Sequence, residues 1–248
     1  MYNPFTLEGK TILITGASSG IGKATAIECS KLGAKVIISG RNKDRLERTY
    51  KELEGENHIQ VIADLSDESI LDDIINELPK IDGIANVAGI VKTLPFQFVN
   101  RKEIDNIFDV NFYSPVILSQ KLIKRKKLNK DSSIVFVSSI DGPVTAHIGN
   151  SIYSASKGAI SAISRNMAVD LASKRIRVNS VLPGMTETPL IHGDGITQEQ
   201  LDLDKKLYPL KRYGEPKEIA WAIIYFLSDA SGWTTGSQLV VDGGFTLL

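Results

Sequence analysis

The chain has 248 residues, of which 42% are hydrophobic and 23% charged, and its 29 basic side chains balance 29 acidic ones. A single globular domain typically has this composition, and its core at this length needs neither disulfide nor metal. The single cysteine, Cys29, excludes an intrachain disulfide framework and a thiolate zinc site, and the zero net charge argues against general nucleic-acid binding.

No segment has the pattern of a targeting or membrane sequence. Residues 1–10 lack a basic region followed by an apolar run. The longest apolar stretch, residues 220–227, is much shorter than the roughly 20 residues of a membrane span. We therefore expect a cytoplasmic protein with no membrane partner.

Short β-branched runs alternate with longer segments of helical periodicity along the chain. Strands are predicted over residues 11–15, 35–39, 59–62, 83–86, 133–138, 177–181 and 238–241. Helices are predicted over residues 20–32, 43–54, 67–78, 101–127, 151–173 and 216–228. The alternation predicts an α/β fold, a doubly wound, seven-stranded parallel sheet with helices on both faces, in one domain over residues 1–248. The irregular stretch 184–206 is expected to be a mobile lid.

A glycine-rich turn joins the first predicted strand to the first helix. It reads Thr15-Gly16-Ala17-Ser18-Ser19-Gly20-Ile21-Gly22. The glycines allow a tight turn and let the backbone approach a phosphate, while the helix N-terminus presents N–H groups to the anion. The context favours a dinucleotide site over an ordinary glycine-rich turn.

The end of the second strand indicates which dinucleotide is bound. An acidic residue is expected there when the ribose 2′-hydroxyl is free. The chain instead reads Ser39-Gly40-Arg41-Asn42, without a carboxylate. Because a guanidinium suits a 2′-phosphate, we predict NADP(H) in preference to NAD(H). The alternative is that Arg41 only begins a solvated helix.

A proton-transferring group is expected on the helix over residues 151–173. Tyr153 and Lys157 are four residues apart there and project from one face. Tyr213 and Lys217 have the same spacing, but Gly214 and Pro216 between them disfavour a helical register. The first pair is therefore the candidate.

Three further polar residues are candidates for the same site. Ser138 and Ser139 close the fifth strand, at the edge where ligands bind in a parallel sheet. Asn111 lies inside a predicted helix, and Pro115 has no N–H to give the Asn111 carbonyl, which predicts a kink and a carbonyl free to bind water. The alternative is a solvated Asn111 beside an incidental kink.

Together these motifs resemble the short-chain dehydrogenase/reductase family over nearly the whole chain. The glycine turn matches T-G-x-x-x-G-x-G, Asp64-Leu65 matches the adenine-contacting Asp, and Asn86-Val87-Ala88-Gly89 matches N-N-A-G except at Val87. The catalytic tetrad is matched by Asn111, Ser139, Tyr153 and Lys157, and the segment that holds the nicotinamide carboxamide by Pro183-Gly184 with Thr186 and Thr188.

The resemblance implies an NAD(P)-dependent oxidoreductase that interconverts a carbonyl and a secondary alcohol. In the family, Tyr153 would be the general acid or base, Ser139 would hold the substrate oxygen, and Lys157 would bind the nicotinamide ribose and lower the pKa of Tyr153. Asn111 would relay protons, and Ser138 is the alternative to Ser139. The implied cofactor-binding residues are Gly16, Ser18, Ser19, Gly20, Ile21, Gly22, Arg41, Asp64, Leu65, Asn86, Ala88, Gly89, Tyr153, Lys157, Pro183, Gly184, Thr186 and Thr188.

The family also implies an assembly. Its members form a homotetramer through the helices that correspond to residues 101–127 and 151–173, and through the last helix and strand. The apolar ending of this chain, residues 244–248, fits burial at such a contact. No metal is implied.

Substrate choice depends on residues 90–98, residues 140–150 and the predicted lid. These segments contain Phe96, Phe98, Val144, Ile148, Leu190 and Ile191, which predict a largely apolar pocket. His147 and His192 are candidates for substrate contact, although loop histidines are more often solvated, and no metal-ligand spacing connects them.

Within the family the chain is similar to 3-oxoacyl-acyl-carrier-protein reductases. Lys124, Arg125, Lys126, Lys127, Lys174 and Arg175 would offer a basic docking surface to an acidic carrier. Basic helix ends also satisfy the helix dipole, and the loop after Gly89 lacks the polar run of those reductases. A steroid, sugar or small-ketone dehydrogenase stays open, as does a nucleotide-binding regulator without turnover.

Overall fold

The computed structural model describes residues 2–191 and 197–248. Seven strands of this part of the chain form one parallel sheet in the order β3-β2-β1-β4-β5-β6-β7. They are β1 Thr11–Ile14, β2 Lys35–Gly40, β3 Ile59–Ile62, β4 Ile81–Asn86, β5 Leu128–Val137, β6 Arg177–Pro183 and β7 Gln238–Val241. The predicted doubly wound sheet is confirmed. Its strand order reverses between β1 and β4, so their carboxyl ends leave a crevice.

Helices cover both faces of the sheet. They are α1 Gly20–Lys31, α2 Lys43–Lys51, α3 Glu68–Glu77, α4 Arg101–Phe108, α5 Ser114–Lys124, α6 Ser151–Leu171, α7 Gln198–Lys205 and α8 Pro216–Leu227. Alternate strand residues face opposite sides: Ile12 and Ile14 pack with α1 and α8, whereas Leu13 packs with α3, α5 and α6. Strands buried on both faces account for the continuous apolar runs in the sequence. Among the described residues, no helix has the length and apolar character to cross a membrane.

The long helix predicted over residues 101–127 is interrupted. A π-helical turn, Asp109–Tyr113, separates α4 from α5, at the place where Pro115 removes an N–H from the helical ladder. The prediction of a continuous helix to residue 127 is wrong, because Lys126 has a positive φ of 55° that ends the helix. Strand β5 begins directly afterwards at Leu128, earlier than predicted.

The segment 184–206 is not irregular throughout. Helix α7 begins after Thr197, whose hydroxyl accepts from the Gln200 N–H while the Gln200 side chain accepts from the Thr197 N–H. This capping box is the start signal that the sequence interpretation missed. Residues 192–196, which include His192, lie outside the described residues, and the lid itself stays a prediction. Tyr213 precedes α8, so it shares no helical register with Lys217, as predicted.

Candidate active site

The glycine turn after β1 packs directly on the end of β4. Gly16 has a φ of +68°, and a Cβ there would lie 2.8 Å from Ala88 Cα. At Gly22 a Cβ would lie 2.3 Å from the Gly16 carbonyl oxygen. The Thr15 hydroxyl oxygen accepts hydrogen bonds from the N–H groups of Val87 and Ala88 at 3.0 and 3.1 Å. Only glycine fits at these two positions.

A cleft of about 390 Å³ opens above this turn, at the crevice between β1 and β4. Of the predicted cofactor-binding residues, it is lined by Gly16, Ser18, Ser19, Gly20, Ile21, Gly22, Arg41, Asp64, Leu65, Ala88, Gly89 and Thr188. Thr188 closes one side, because a Cβ on Gly20 would lie 3.1 Å from Thr188 Cγ2. The structure therefore brings most of the predicted residues to one cavity.

Six predicted residues lie outside the cleft lining, and two of them, Tyr153 and Lys157, are described below. Asn86 is buried and donates to Ser119 Oγ at 3.4 Å. Pro183 ends β6, and Gly184 packs so closely that a Cβ there would lie 3.0 Å from Asp242 Cα. Thr186 is buried and donates to the Gly184 carbonyl at 3.1 Å. These residues support the walls.

One end of the cleft carries opposite charges. Arg41 Nη1 lies 3.5 Å from Asp64 Oδ2, and the Arg41 side chain is 62% exposed. The Ser66 hydroxyl and N–H donate to Asp64 Oδ1 at 2.6 and 3.1 Å. The Ser66 hydroxyl, with the Arg41 charge adding to it, lowers the pKa of Asp64. The exposed guanidinium is thus held at the cleft by a carboxylate that stays ionised.

The other end of the cleft leads to Ser139 and Tyr153, and the Ser139 side chain lies close enough to the Tyr153 hydroxyl to lower its pKa. Lys157 Nζ lies 5.7 Å from the centre of the Tyr153 ring and donates to the Val137 carbonyl at 2.9 Å. A Cβ on Gly89, which lines the cleft, would lie 3.4 Å from Lys157 Nζ. Helix α6 therefore presents both of its candidates beside the cavity.

Asn111 faces the same glycine from the π-helical turn. Its Oδ1 accepts from the Ile90 N–H at 2.8 Å, and its Nδ2 donates to the Ile90 carbonyl at 2.9 Å and to Ser156 Oγ at 3.1 Å. A Cβ on Gly89 would lie 3.3 Å from Asn111 Oδ1. Its side-chain amide thus pins the strand-end loop beside Lys157.

Comparison with known proteins matches residues 16–246 to a family model described as "Enoyl-(Acyl carrier protein) reductase". The 3-oxoacyl-[acyl-carrier-protein] reductase FabG of Thermotoga maritima is 32% identical over 247 residues, covering 97% of this chain and 99% of the relative. The uncharacterized oxidoreductase YxbG of Bacillus subtilis is 36% identical, covering 96% and 91%. A mutant short-chain dehydrogenase/reductase of Serratia marcescens superposes with a TM-score of 0.89 at 27% identity, covering 98% and 100%.

The chain belongs to the short-chain dehydrogenase/reductase family. It is therefore an oxidoreductase of a family that uses nicotinamide dinucleotides. The cleft fits such a group: side-chain-free backbone at Gly16 and Gly22 lies beside the N-terminus of α1, as a pyrophosphate requires. Among residues 2–191 and 197–248, no cluster of His, Cys, Asp or Glu has the arrangement of a metal site.

Burial is the first cause of the pKa shifts at this dehydrogenase/reductase site. Burial raises the pKa of Tyr153 to about 12, although the hydrogen bond from Ser139 opposes the shift. Burial also lowers the pKa of Lys157 to about 8. Burial is thus the dominant influence on both groups, and the lowering of the Tyr153 pKa by Lys157 beside a bound nicotinamide stays a prediction.

The sequence interpretation missed a polar cluster that follows Ser139. Asp141 is buried, and its carboxylate is bonded by side chains of Thr145, His147 and Asn150. An acidic residue inside a run of small and apolar residues was the available signal. The apolar residues predicted to line the substrate pocket differ in exposure: Phe96 and Ile148 are 78% and 98% exposed, whereas Ile191 is buried.

The basic residues proposed for carrier docking are partly engaged within the chain. Lys127 donates to the carbonyls of Asn76 and Leu78 at 2.9 and 2.5 Å. Arg125 pairs with Asp72 at 3.2 Å, and Arg175 with Asp131 at 2.5 Å. These pairs neutralise part of the surface that an acidic partner would meet.

Proposed function

We propose that the protein is an NADPH-dependent short-chain dehydrogenase/reductase that reduces a carbonyl to a secondary alcohol, and catalyses the reverse reaction, with Tyr153 as the general acid or base. The observation that carries the proposal is the convergence of three side chains: Ser139 lies close enough to the Tyr153 hydroxyl to lower its pKa, and Lys157 Nζ lies 5.7 Å from the centre of the Tyr153 ring. Ser139 follows β5, Tyr153 and Lys157 lie on α6, and Lys157 reaches Gly89 of the cleft.

The proposed chemistry needs two roles from the chain. When bound, the nicotinamide supplies the hydride for reduction and accepts it in oxidation. Ser139 donates a hydrogen bond to the carbonyl oxygen, and Tyr153 Oη gives that oxygen its proton as the carbon is reduced. Lys157, which lies beside Gly89, and the backbone carbonyl of Asn111 relay a replacement proton to the phenolate. A tyrosine pKa above its ordinary value suits reduction, because the phenol starts protonated.

The phosphate preference is proposed from the adenosine end of the cleft. Arg41 lines it together with Asn42 and Arg45. A 2′-phosphate would take the Arg41 guanidinium from Asp64, whose contact at 3.5 Å is long for a charge-assisted hydrogen bond. NADPH is therefore the preferred cofactor.

For the substrate, the names of several relatives favour a 3-oxoacyl thioester. Relatives from Thermotoga maritima and Rickettsia bellii, 32% and 33% identical, are both 3-oxoacyl-[acyl-carrier-protein] reductases. Steroids, sugars and small ketones are the alternatives, since Arg125, Lys127 and Arg175 are engaged within the chain.

The decisive experiment is a substrate panel followed by NADPH absorbance. Acetoacetyl-coenzyme A, ethyl acetoacetate and cyclic ketones would be compared for wild type and Tyr153→Phe. We expect turnover to fall by about 10²- to 10⁴-fold in Tyr153→Phe, while NADPH affinity changes little. Tyr225→Phe is the matched control, because Tyr225 lies on α8 and its hydroxyl is hydrogen-bonded to Thr234, outside the cleft lining. A wild-type protein that binds NADPH without oxidising it would instead be a nucleotide-binding regulator.

We also propose a homotetramer, supported by apolar side chains left exposed on the family's contact elements. Val169 on α6 is 77% exposed, Tyr113 in the π-helical turn 50%, and Val240 on β7 38%. Multi-angle light scattering tests the assembly, and a monomer would contradict it.

A further inference from the structure

The segment between β5 and α6 carries a carboxylate and imidazole pair. The Asp141 side chain is only 6% exposed, and its Oδ1 accepts from His147 Nδ1 and, at 3.0 Å, from Thr145 Oγ1. Its Oδ2 accepts from Asn150 Nδ2 at 2.9 Å. Since an ionised carboxylate only accepts, His147 carries its proton on Nδ1 and turns Nε2 away from Asp141.

This pair lies next to the reacting hydroxyls. The Asp141 N–H donates to Ser139 Oγ at 3.1 Å, which leaves the Ser139 proton free to be donated. The Asp141 charge also adds to the rise in the pKa of Tyr153. A substrate oxygen held by Ser139 and Tyr153 would therefore lie close to this pair.

The His147 ring is held in place from its other side as well. It stacks on Phe245 with ring centres 5.9 Å apart, and Phe245 packs on Tyr208 at 4.8 Å. Tyr208 Oη accepts from the Met185 N–H at 3.2 Å, so the stack reaches the segment after β6. The His147 side chain is 46% exposed, and its Nε2 has no hydrogen-bond partner within residues 2–191 and 197–248.

We propose that His147 Nε2 is a second recognition point for the substrate, that Asp141 is the residue that positions it, and that the substrate carries a second oxygen besides its reacting carbonyl. This inference rests on the proposed function. A buried carboxylate that fixes an imidazole is not needed to build an apolar wall, whereas an oriented ring nitrogen selects ligands with a matching polar atom.

The test compares ketones that differ in one oxygen function. Ethyl acetoacetate is paired with 2-heptanone, and acetoin with 2-butanone. For each pair the ratio of kcat/KM values is measured in wild type, His147→Asn and His147→Gln. The Asn amide nitrogen occupies the place of Nδ1 and keeps the bond to Asp141, whereas the Gln amide nitrogen reaches the place of Nε2. Because the ketones differ in intrinsic reactivity, the change of the ratio between variants is the quantity of interest.

We expect the ratio for at least one pair to fall by about tenfold or more in His147→Asn and by less than about threefold in His147→Gln. Thr145→Val is the matched control: it removes a bond to the same Asp141 oxygen but leaves the imidazole, so the ratio should stay at the wild-type value. A loop-anchoring role would change the activity toward both ketones of a pair equally and leave the ratio unchanged.

Two results would overturn the inference. If wild type and His147→Asn give the same ratio in both pairs, His147 does not recognise the second oxygen, although the proposed carbonyl reduction stands. If wild type binds NADPH but reduces none of the four ketones or acetoacetyl-coenzyme A, the proposed function fails and this inference falls with it.

Discussion

Ser138 and Ser139 are consecutive residues whose hydroxyls contact different parts of the structure. Ser138 Oγ donates to the Lys157 carbonyl at 2.8 Å and lies 2.8 Å from Ser161 Oγ, so it joins β5 to the buried face of α6. Ser139 Oγ accepts from the Asp141 N–H at 3.1 Å, and the Ser139 side chain lies close enough to the Tyr153 hydroxyl to lower its pKa. Because successive side chains leave an extended backbone on opposite sides, only one of the two reaches the cleft.

Replacing each serine should therefore separate activity from stability. Ser139→Ala should lower kcat by about 10²-fold, through loss of a donor to the substrate oxygen, and lower the free energy of unfolding by about 1 kcal/mol, because the Asp141 N–H loses its acceptor. Ser138→Ala should lower the free energy of unfolding by about 1–3 kcal/mol, because it removes a buried bond to α6. Urea denaturation and NADPH turnover check both, and the reverse pattern would make Ser138 the residue that holds the substrate.

Asp141→Asn should change the pH dependence of alcohol oxidation. Oxidation needs the ionised form of Tyr153, and the Asp141 charge helps to raise the pKa of that phenol, together with burial. Removing the charge lowers the pKa, so the rise of kcat/KM with pH should move to lower pH by about half a unit to one unit. In reduction, which needs the protonated phenol, the loss of activity at high pH should begin earlier.

The control for Asp141→Asn is a carboxylate that is not among the charged groups around Tyr153. Lys157 is the cation beside its ring and Asp141 the anion. Asp72→Asn makes the same charge change on α3, at a carboxylate paired with Lys121 at 3.1 Å. Its pH profile should match that of wild type, and an equal shift in both variants would mean that the effect of Asp141 is not local.

The sequence was sufficient for those features in which local chemistry and fold agree. The glycine turn and the interruption near Asn111 follow from backbone requirements of glycine and proline, which act over a few residues. The parallel sheet follows from the alternation of β-branched runs with helical segments. The residues implied by family resemblance, such as Ser139 and Tyr153, meet in the structure because α6 packs against the end of β5.

What the sequence did not reveal depends on burial and on contacts between distant segments. Neither the rise in the pKa of Tyr153 nor the link from His147 through Phe245 to Tyr208 can be read from spacing. The start of β5 was missed because polar residues follow Leu128, the first residue of the strand. Leu128 pairs with Ile81, but Lys130 and Asp131 are exposed. Alternation of apolar residues identifies only the buried half of such a strand.

Arg41→Ser should reduce the preference for NADPH. The exposed guanidinium is the cation available for a 2′-phosphate at this end of the cleft, next to Arg45. We expect kcat/KM for NADPH to fall by about 10- to 100-fold and that for NADH to change by less than about threefold. Arg48→Ser, an exposed position on α2 outside the cleft lining, is the control. An equal fall of kcat/KM with both cofactors would show that Arg41 does not recognise the 2′-phosphate.

Gly16→Ala tests whether the close approach of the glycine turn to β4 is what the cofactor site requires. Gly16 and Gly9 both have a positive φ, +68° and +77°, but a Cβ on Gly16 would meet Ala88 Cα at 2.8 Å, whereas a Cβ on Gly9 would meet nothing within 4 Å. Gly9→Ala therefore measures the backbone cost alone, about 1 kcal/mol of unfolding free energy.

The difference between the two alanine variants isolates the steric term. Gly16→Ala should lower the free energy of unfolding by about a further 1–3 kcal/mol, because the atom that its Cβ would meet belongs to the Ala88 backbone and cannot move aside. The displaced turn should bind NADPH at least about tenfold more weakly. Gly9→Ala should bind NADPH like wild type. Urea denaturation with and without NADPH measures both quantities. If the two variants lost equal stability and bound NADPH equally well, the contact between the turn and Ala88 would not constrain the site.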